Sequence, residues 1–305
     1  MPSVIGAGIG AMFGGGRGIP SDNLAAAFDA NIGITSSGGF ASAWADQSGN
    51  GRSLLQGTGA NQPIHLPLGV NNSGTAAAGS TGTTLNLAAS ALAVNSVYNG
   101  MTVAITGGTG AGQSRTITAY VGATKIATVS AWSVTPDNTS TYTITATQPS
   151  LFFDGAAHYM KCSAFTLNQP TTVYLVAKQM AWGSRYLYDG DSANSMVLFQ
   201  NTATPQLALY AGSFTSNNSN AAIGSLVVVA GVFNGAASSL QVNLTTEVTG
   251  NVGAGNAGGF TLGSNPTPGS FANIQAHEAL IYAAAHDATT RANVIRALMS
   301  KWGIP

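Results

Sequence analysis

Charge is what this sequence has least of. Asp, Glu, Lys and Arg make up only 7% of its 305 residues, against about 25% in ordinary soluble proteins. Ten basic and ten acidic side chains cancel, so no long-range field draws in nucleic acid or an anionic membrane, and the reading is no nucleic-acid partner. Cysteine is almost missing. Cys162 stands alone, which leaves no intrachain disulfide and no cysteine metal cluster, and makes it a small buried hydrophobe. Glutamate is scarce too, with only Glu247 and Glu278. No apolar run approaches the roughly 20 residues of a membrane-spanning helix, so no membrane insertion is expected. The first twenty residues, MPSVIGAGIGAMFGGGRGIP, lack the basic start and unbroken apolar stretch of an export signal. They read as a flexible N-terminal arm over 1–23, able to dock on a neighbouring chain or to remain a disordered tail.

What is abundant is glycine, alanine, serine, threonine and asparagine. A neutral chain of that kind presents a hydroxyl and amide surface or hides it in an assembly, and assembly is the favoured reading, as a homo-oligomer. Short β-branched and aromatic runs bounded by turn residues follow one another: TTVYLVAK (171–178), SLVVVAGVF (225–233), SLQVNL (239–244), FTLGS (260–264) and ANIQAHEALIYAAA (272–285). Asn234-Gly235 between two of them marks a tight hairpin with positive φ. Only the end is helical: Asp287 is placed to cap a segment with apolar Val294, Ile295, Leu298, Met299 and Trp302. The class is all-β, a sandwich or jelly roll with a C-terminal helix. The stretch VNNSGTAAAGSTGTTLNLAASALAV from residue 70 is small and polar, a poor core builder, and reads as a linker or loop. A compact β unit follows, with strands MTVAIT, QSRTITAYV, KIATVS and TYTI.

Over 96–146 that unit resembles a small β module recurrent in bacteriophage tail and other virion proteins, on its GMT, TGGTGAGQSR and PDNTSTY elements. The segments on either side resemble the laminin-G-like, concanavalin A-like jelly roll of lectin-like modules and many phage proteins. The motifs are the turn Trp44, Asp46, Ser48, Gly49 and Gly51, then Phe153, Asp154 and Gly155, and late in the chain Glu278 and Tyr282. The resemblance implies a discontinuous jelly roll over 24–75 and 147–305, with linker and inserted module over 76–146. It also implies that Trp44 packs into the sandwich, that Asp46 and Ser48 bond turn backbone, and that the glycines take conformations closed to other residues.

Catalytic patterns are hard to find. GxxxxGK[ST] is absent, and GAGIGAMFGGG has neither the strand before it nor the helix after it of a nucleotide-binding turn. Glycosidases of the concanavalin-like fold need two facing carboxylates, and the resembling enzymes carry them as Glu-x-Asp-x-Glu; here the two glutamates lie in different segments. His65, His158, His277 and His286 are scattered, without HExxH or GxSxG. The expectation is therefore no enzyme. The best remaining cluster is Trp182, Tyr186, Tyr188, Asp189 and Asp191, a mixture of rings and carboxylates suited to a sugar, although core packing and a two-residue turn account for the same residues. No cofactor is called; Ca²⁺ on Asp189, Asp191 and Asn194 is the alternative. The resemblance implies a virion structural protein on the particle surface, tail-associated as a fibre or receptor-binding component, meeting other virion proteins and a host-surface glycan. A capsid-decorating protein and a free carbohydrate-binding lectin are the alternatives.

Overall fold

The computed structural model describes residues 18–305. Most of the expected arm lies outside them. Residues 18–23 belong to the folded body: Ile19 packs against the main core, and the Tyr282 hydroxyl donates to the Pro20 carbonyl at 2.9 Å.

The strands form one sheet of sixteen and one of six, and the paired strands run antiparallel. The large sheet curls into a sandwich. One layer is built on the longest strand, Asn273–Tyr282, flanked by Leu24–Asp29 and Ser150–Asp154 on one side and by Thr171–Gln179 and then Leu226–Phe233 on the other. Phe40–Trp44, Thr261–Leu262, Tyr186–Asp189, Val197–Gln200 and Leu207–Tyr210 belong to the facing layer. Rings meet where the layers pack, Phe28 and Trp44 at 5.8 Å and Tyr188 and Phe233 at 6.4 Å, while Tyr188 and Phe260 at 5.4 Å are neighbours within one layer. Gly231 sits opposite Tyr188, where a β-carbon would come within 2.9 Å of the hydroxyl. A side chain at that position would press on Tyr188 and Leu209 across the sandwich. The central strands are apolar on both faces because the C-terminal helix, Ala288–Lys301, covers the outside with Val294, Ile295 and Leu298. Asp287 caps it as expected, accepting from the Thr290 amide at 2.7 Å.

The six-stranded sheet runs in the order Gly69–Thr75, Thr141–Ala146, Thr102–Gly107, Ser114–Val121, Ile126–Val129, Thr84–Asn86. Two expectations are corrected here. Strand 69–75 pairs with 141–146, so the second unit starts near residue 69 and not at 76. The supposed linker is also part of this sheet, through 69–75 and 84–86. Its small residues permit close packing: a β-carbon on Gly74 would lie 2.7 Å from that of Ala88. Tyr98, Tyr120 and Tyr142 fill this unit's core, and Ile64, Leu66 and Phe152 join it from the sandwich. The hairpin at Asn234-Gly235 is present, but only Gly235 takes a positive φ, at 52°, and the link is a short 3-10 turn.

The early glycine-rich turn is built around Asp46. Its Oδ1 accepts from the Ala27 and Ser48 amides at 2.9 and 2.8 Å, and its Oδ2 from the Arg52 amide and Ser48 hydroxyl at 2.9 and 2.8 Å. Gly49 and Gly51 have φ of 88° and 71°, the left-handed region that costs a side chain energy. Trp44 is fully enclosed and donates its indole N–H to the Asp29 carbonyl at 3.0 Å. A second carboxylate repeats the device: Asp154 Oδ1 accepts from the amides of Ala156, Ala157 and His158 at 2.9 to 3.0 Å, with Gly155 at φ 75° and Phe153 buried.

Candidate functional site

Strand Tyr186–Asp189 decides which aromatic residues face solvent. A side chain should return to the same face every second residue. Here the pairing with Val197–Gln200 slips between Tyr186 and Tyr188, and such a bulge re-aims a side chain. Tyr188 enters the sandwich and is 1% exposed, while Tyr186 stays at the surface.

Tyr186 lines an open cleft of about 240 Å³ together with Asn194, Phe199, Tyr210 and Phe214. The rings are in edge or tilted contact: Tyr186 and Phe199 at 6.0 Å, Phe199 and Phe214 at 5.7 Å, Tyr210 and Phe214 at 4.9 Å. Phe214 is 55% exposed. Other large apolar side chains are as open, Leu68 and Val70 among them, but Phe214 stands in a cluster of rings, and a contiguous aromatic patch is what a contact site presents. The Tyr186 hydroxyl donates to Asn194 Oδ1 at 2.7 Å, which fixes the amide at the rim. Burial raises the Tyr186 hydroxyl pKa, so it remains a neutral donor at physiological pH. Asn194 takes φ of 61°, in the left-handed region Asn tolerates best among residues with a side chain. The cleft thus offers apolar ring faces beside amide and hydroxyl groups, the combination that holds a flat, hydroxylated ligand.

The expected cluster is divided by the fold. Tyr186 lines this cleft, and Trp182 lines a different one. Tyr188 and Asp189 are enclosed and cannot reach a ligand. Asp189 is 0% exposed and organises the loop after it, accepting from the amides of Gly190, Ser195 and Met196 on Oδ1 and of Asn194 on Oδ2, at 2.7 to 3.3 Å. Asp191 pairs with Lys161 at 2.6 Å. With one carboxylate spent on backbone amides and the other on a lysine, the two do not form a joint Ca²⁺ site. Among the described residues no group of three His, Cys, Asp or Glu side chains is arranged to hold a metal, and no helix is long and apolar enough to cross a membrane.

Asp189 is a structural residue of the loop and not a cleft residue. Its loop does shape the cleft, through Asn194, but the carboxylate points inward. Phe199, Tyr210 and Phe214 were missed. Their signal was an aromatic residue in each of three successive segments, LFQ, LALY and GSF, which the eye reads as ordinary strand composition. The motif residues Glu278 and Tyr282 belong to the core. Glu278 is 3% exposed and meets Lys301 at 2.6 Å and the Trp302 indole N–H at 2.5 Å, while Lys301 also meets Asp29 at 2.8 Å.

No protein-family model matches the chain, and no curated protein matches it. Solved structures do. A GH54 α-l-arabinofuranosidase soaked with a cyclic sulfate inhibitor is similar over 86% of this chain and 51% of its own, at 13% identity and a TM-score of 0.44. Trypanosoma rangeli sialidase in complex with sialic acid is similar over 93% of this chain and 34% of its own, at 10% identity and a TM-score of 0.43. The binding domain of botulinum neurotoxin DC in complex with SialylT is similar over 49% and 42%, at 15% identity and a TM-score of 0.36. The chain therefore spans about half or less of the length of these proteins. They assign no role to any residue here. They do correct one expectation: with glycosidases among the similar structures, the exclusion of an enzyme, drawn from a missing Glu-x-Asp-x-Glu pattern, does not stand. Carboxylates far apart in sequence can meet in space.

Proposed function

We propose that this chain is a carbohydrate-contacting module on the surface of a bacteriophage particle, binding through the cleft of Tyr186, Asn194, Phe199, Tyr210 and Phe214. The observation that carries the reading is the cleft itself: four partly open rings around an amide held at its rim by a tyrosine hydroxyl. Sugars present apolar ring faces and a belt of hydroxyls, and such a site satisfies both. Carbohydrate ligands named with the sialidase and the neurotoxin domain agree with this choice of chemistry. The placement on a phage particle rests on the resemblance of residues 96–146 to a virion β module and on a charge-poor surface suited to assembly with other virion proteins and with copies of itself. The tail, where a particle meets its host, is the position proposed.

The test is a glycan array probed with the full chain and its Phe214→Ala variant. Phe214 is exposed, so its loss leaves the fold intact. Wild-type binding to defined oligosaccharides and at least tenfold weaker binding by the variant, about 1.4 kcal/mol, is the expected result. Undiminished binding by the variant places the contact elsewhere. Copy number settles the position: a few copies at the tail tip agree with it, and hundreds on the shell indicate a capsid-decorating protein.

A further inference from the structure

The second cleft, where Trp182 ended up, has about 220 Å³ of space and is also lined by Asp154, Arg185, Phe271 and Asn273. Its rim is not a loose loop. Gln200, 1% exposed, accepts from the amides of Gly183 and Arg185 at 2.9 and 3.3 Å and donates to the Ala181 carbonyl and to Gln179 Oε1, both at 2.9 Å. One buried amide therefore fixes both ends of the segment that presents Trp182. The backbone is held and the indole is left partly exposed beside polar groups, which favours binding because less freedom is lost on contact.

The polar groups around it have bonding capacity left. The Arg185 side chain has no hydrogen bond or ion pair among the described residues. Asn273 donates through Nδ2 to the Asp154 carbonyl at 2.8 Å, which leaves its Oδ1 enclosed and without a partner. Asp154 spends Oδ1 on three amides, while Oδ2 lies 3.6 Å from His158 Nε2, too far for a hydrogen bond. Asp154, Asn273, Arg185 and two aromatic rings line one space. A sugar ring matches this set, since each hydroxyl both donates and accepts.

The two clefts adjoin. Arg185 lines one and Tyr186 the other. Phe271, from the second cleft, is the bridge partner of Tyr186, which puts their backbones about 5 Å apart. Phe199 faces the first cleft while its neighbour Gln200 holds the rim of the second. We infer that the clefts are successive subsites for one oligosaccharide, with the residue beyond the aromatic cleft stacking on Trp182 and Phe271 between Arg185 and Asn273. This rests on the carbohydrate reading of the first cleft, which supplies the anchor sugar.

The experiment uses the full chain on a printed array of defined oligosaccharides one to six residues long, followed by calorimetric titration of each oligomer in the series that binds. Affinity is expected to rise at least tenfold between the shortest oligomer that binds and one two residues longer. Trp182→Ala should abolish that rise without weakening the shortest oligomer, Trp182→Phe should restore part of it, and Phe214→Ala should weaken every length. Affinity independent of length, or a Trp182→Ala protein that keeps the rise, overturns the second subsite and leaves the first standing. If no oligosaccharide binds, both fall. Arg185→Ala is the second variant: Arg185 is exposed, so a change confined to the longer oligomers cannot be put down to misfolding.

Discussion

Asp46 is a small, partly buried side chain that fixes the register of three segments. It bonds the amides of Ala27, Ser48 and Arg52 at once, so the first strand, the glycine turn and the start of the next segment share one carboxylate. Asp46→Ala leaves these buried donors without a partner, at about 1–3 kcal/mol for the first and less for those that can reach water. A loss of roughly 2–4 kcal/mol is expected, measured by urea unfolding, with Asp46→Asn recovering part because its oxygen still accepts. This residue was legible in the sequence, through the resemblance of its turn to the jelly-roll marker and through Asp, Ser and Gly being turn residues. Tyr188 was not. Nothing in YLYDGD says which tyrosine faces inward, since that depends on a bulge defined by the partner strand.

The C-terminal helix shows the same division at the level of elements. Its cap and apolar spacing were readable, but its clamp was not. Lys301 at the end of the helix bridges Asp29 and Glu278, two almost fully buried carboxylates on neighbouring strands, and Trp302 donates to Glu278. Burial raises the Glu278 pKa, and Lys301 opposes that shift. Removing the lysine leaves two buried acids facing each other. Lys301→Met should cost roughly 2–4 kcal/mol, and adding Glu278→Gln should return part of it. A double-mutant cycle by thermal unfolding checks this, with simple additivity as the outcome against a direct clamp. The elements that escaped the sequence reading, strands 69–75 and 84–86, are poor in large apolar residues. They hold their place through backbone ladders and close approach, which composition does not report.

Across the whole molecule, burial dominates the histidines. His65, His158, His277 and His286 all have pKa values lowered by desolvation. For His277 the value falls to about 3, with nearby Lys178 adding to the burial. Its Nδ1 donates to the Pro149 carbonyl at 2.8 Å, and Nε2 has no partner. A depressed histidine pKa means that the unfolded chain takes up its proton first. The stabilisation is whole above about pH 6.5 and is lost as pH falls from there toward about 3, at up to 1.4 kcal/mol per pH unit per site. Glu278 acts in the opposite sense, favouring the fold once protonated. Stability followed by urea unfolding between pH 7 and 4 should therefore decline, and His277→Gln should decline by on the order of a few kcal/mol less. An equal slope in both proteins removes His277 as a source of acid sensitivity.

The sequence by itself determined the class of fold: strand-length apolar runs, punctuating glycines and one capped helix admit little besides a β sandwich, because local periodicity and turn chemistry are properties of neighbouring residues. It also determined the Asp46 turn and the scarcity of charge. Tertiary structure alone decided the candidate site. Tyr186, Phe199, Tyr210 and Phe214 become one surface only when successive strands pair, and Trp182 separates from Tyr186 only when a bulge and the buried Gln200 set the faces. Which side of a strand meets solvent is fixed by what packs on the other, and that partner lies far away along the chain.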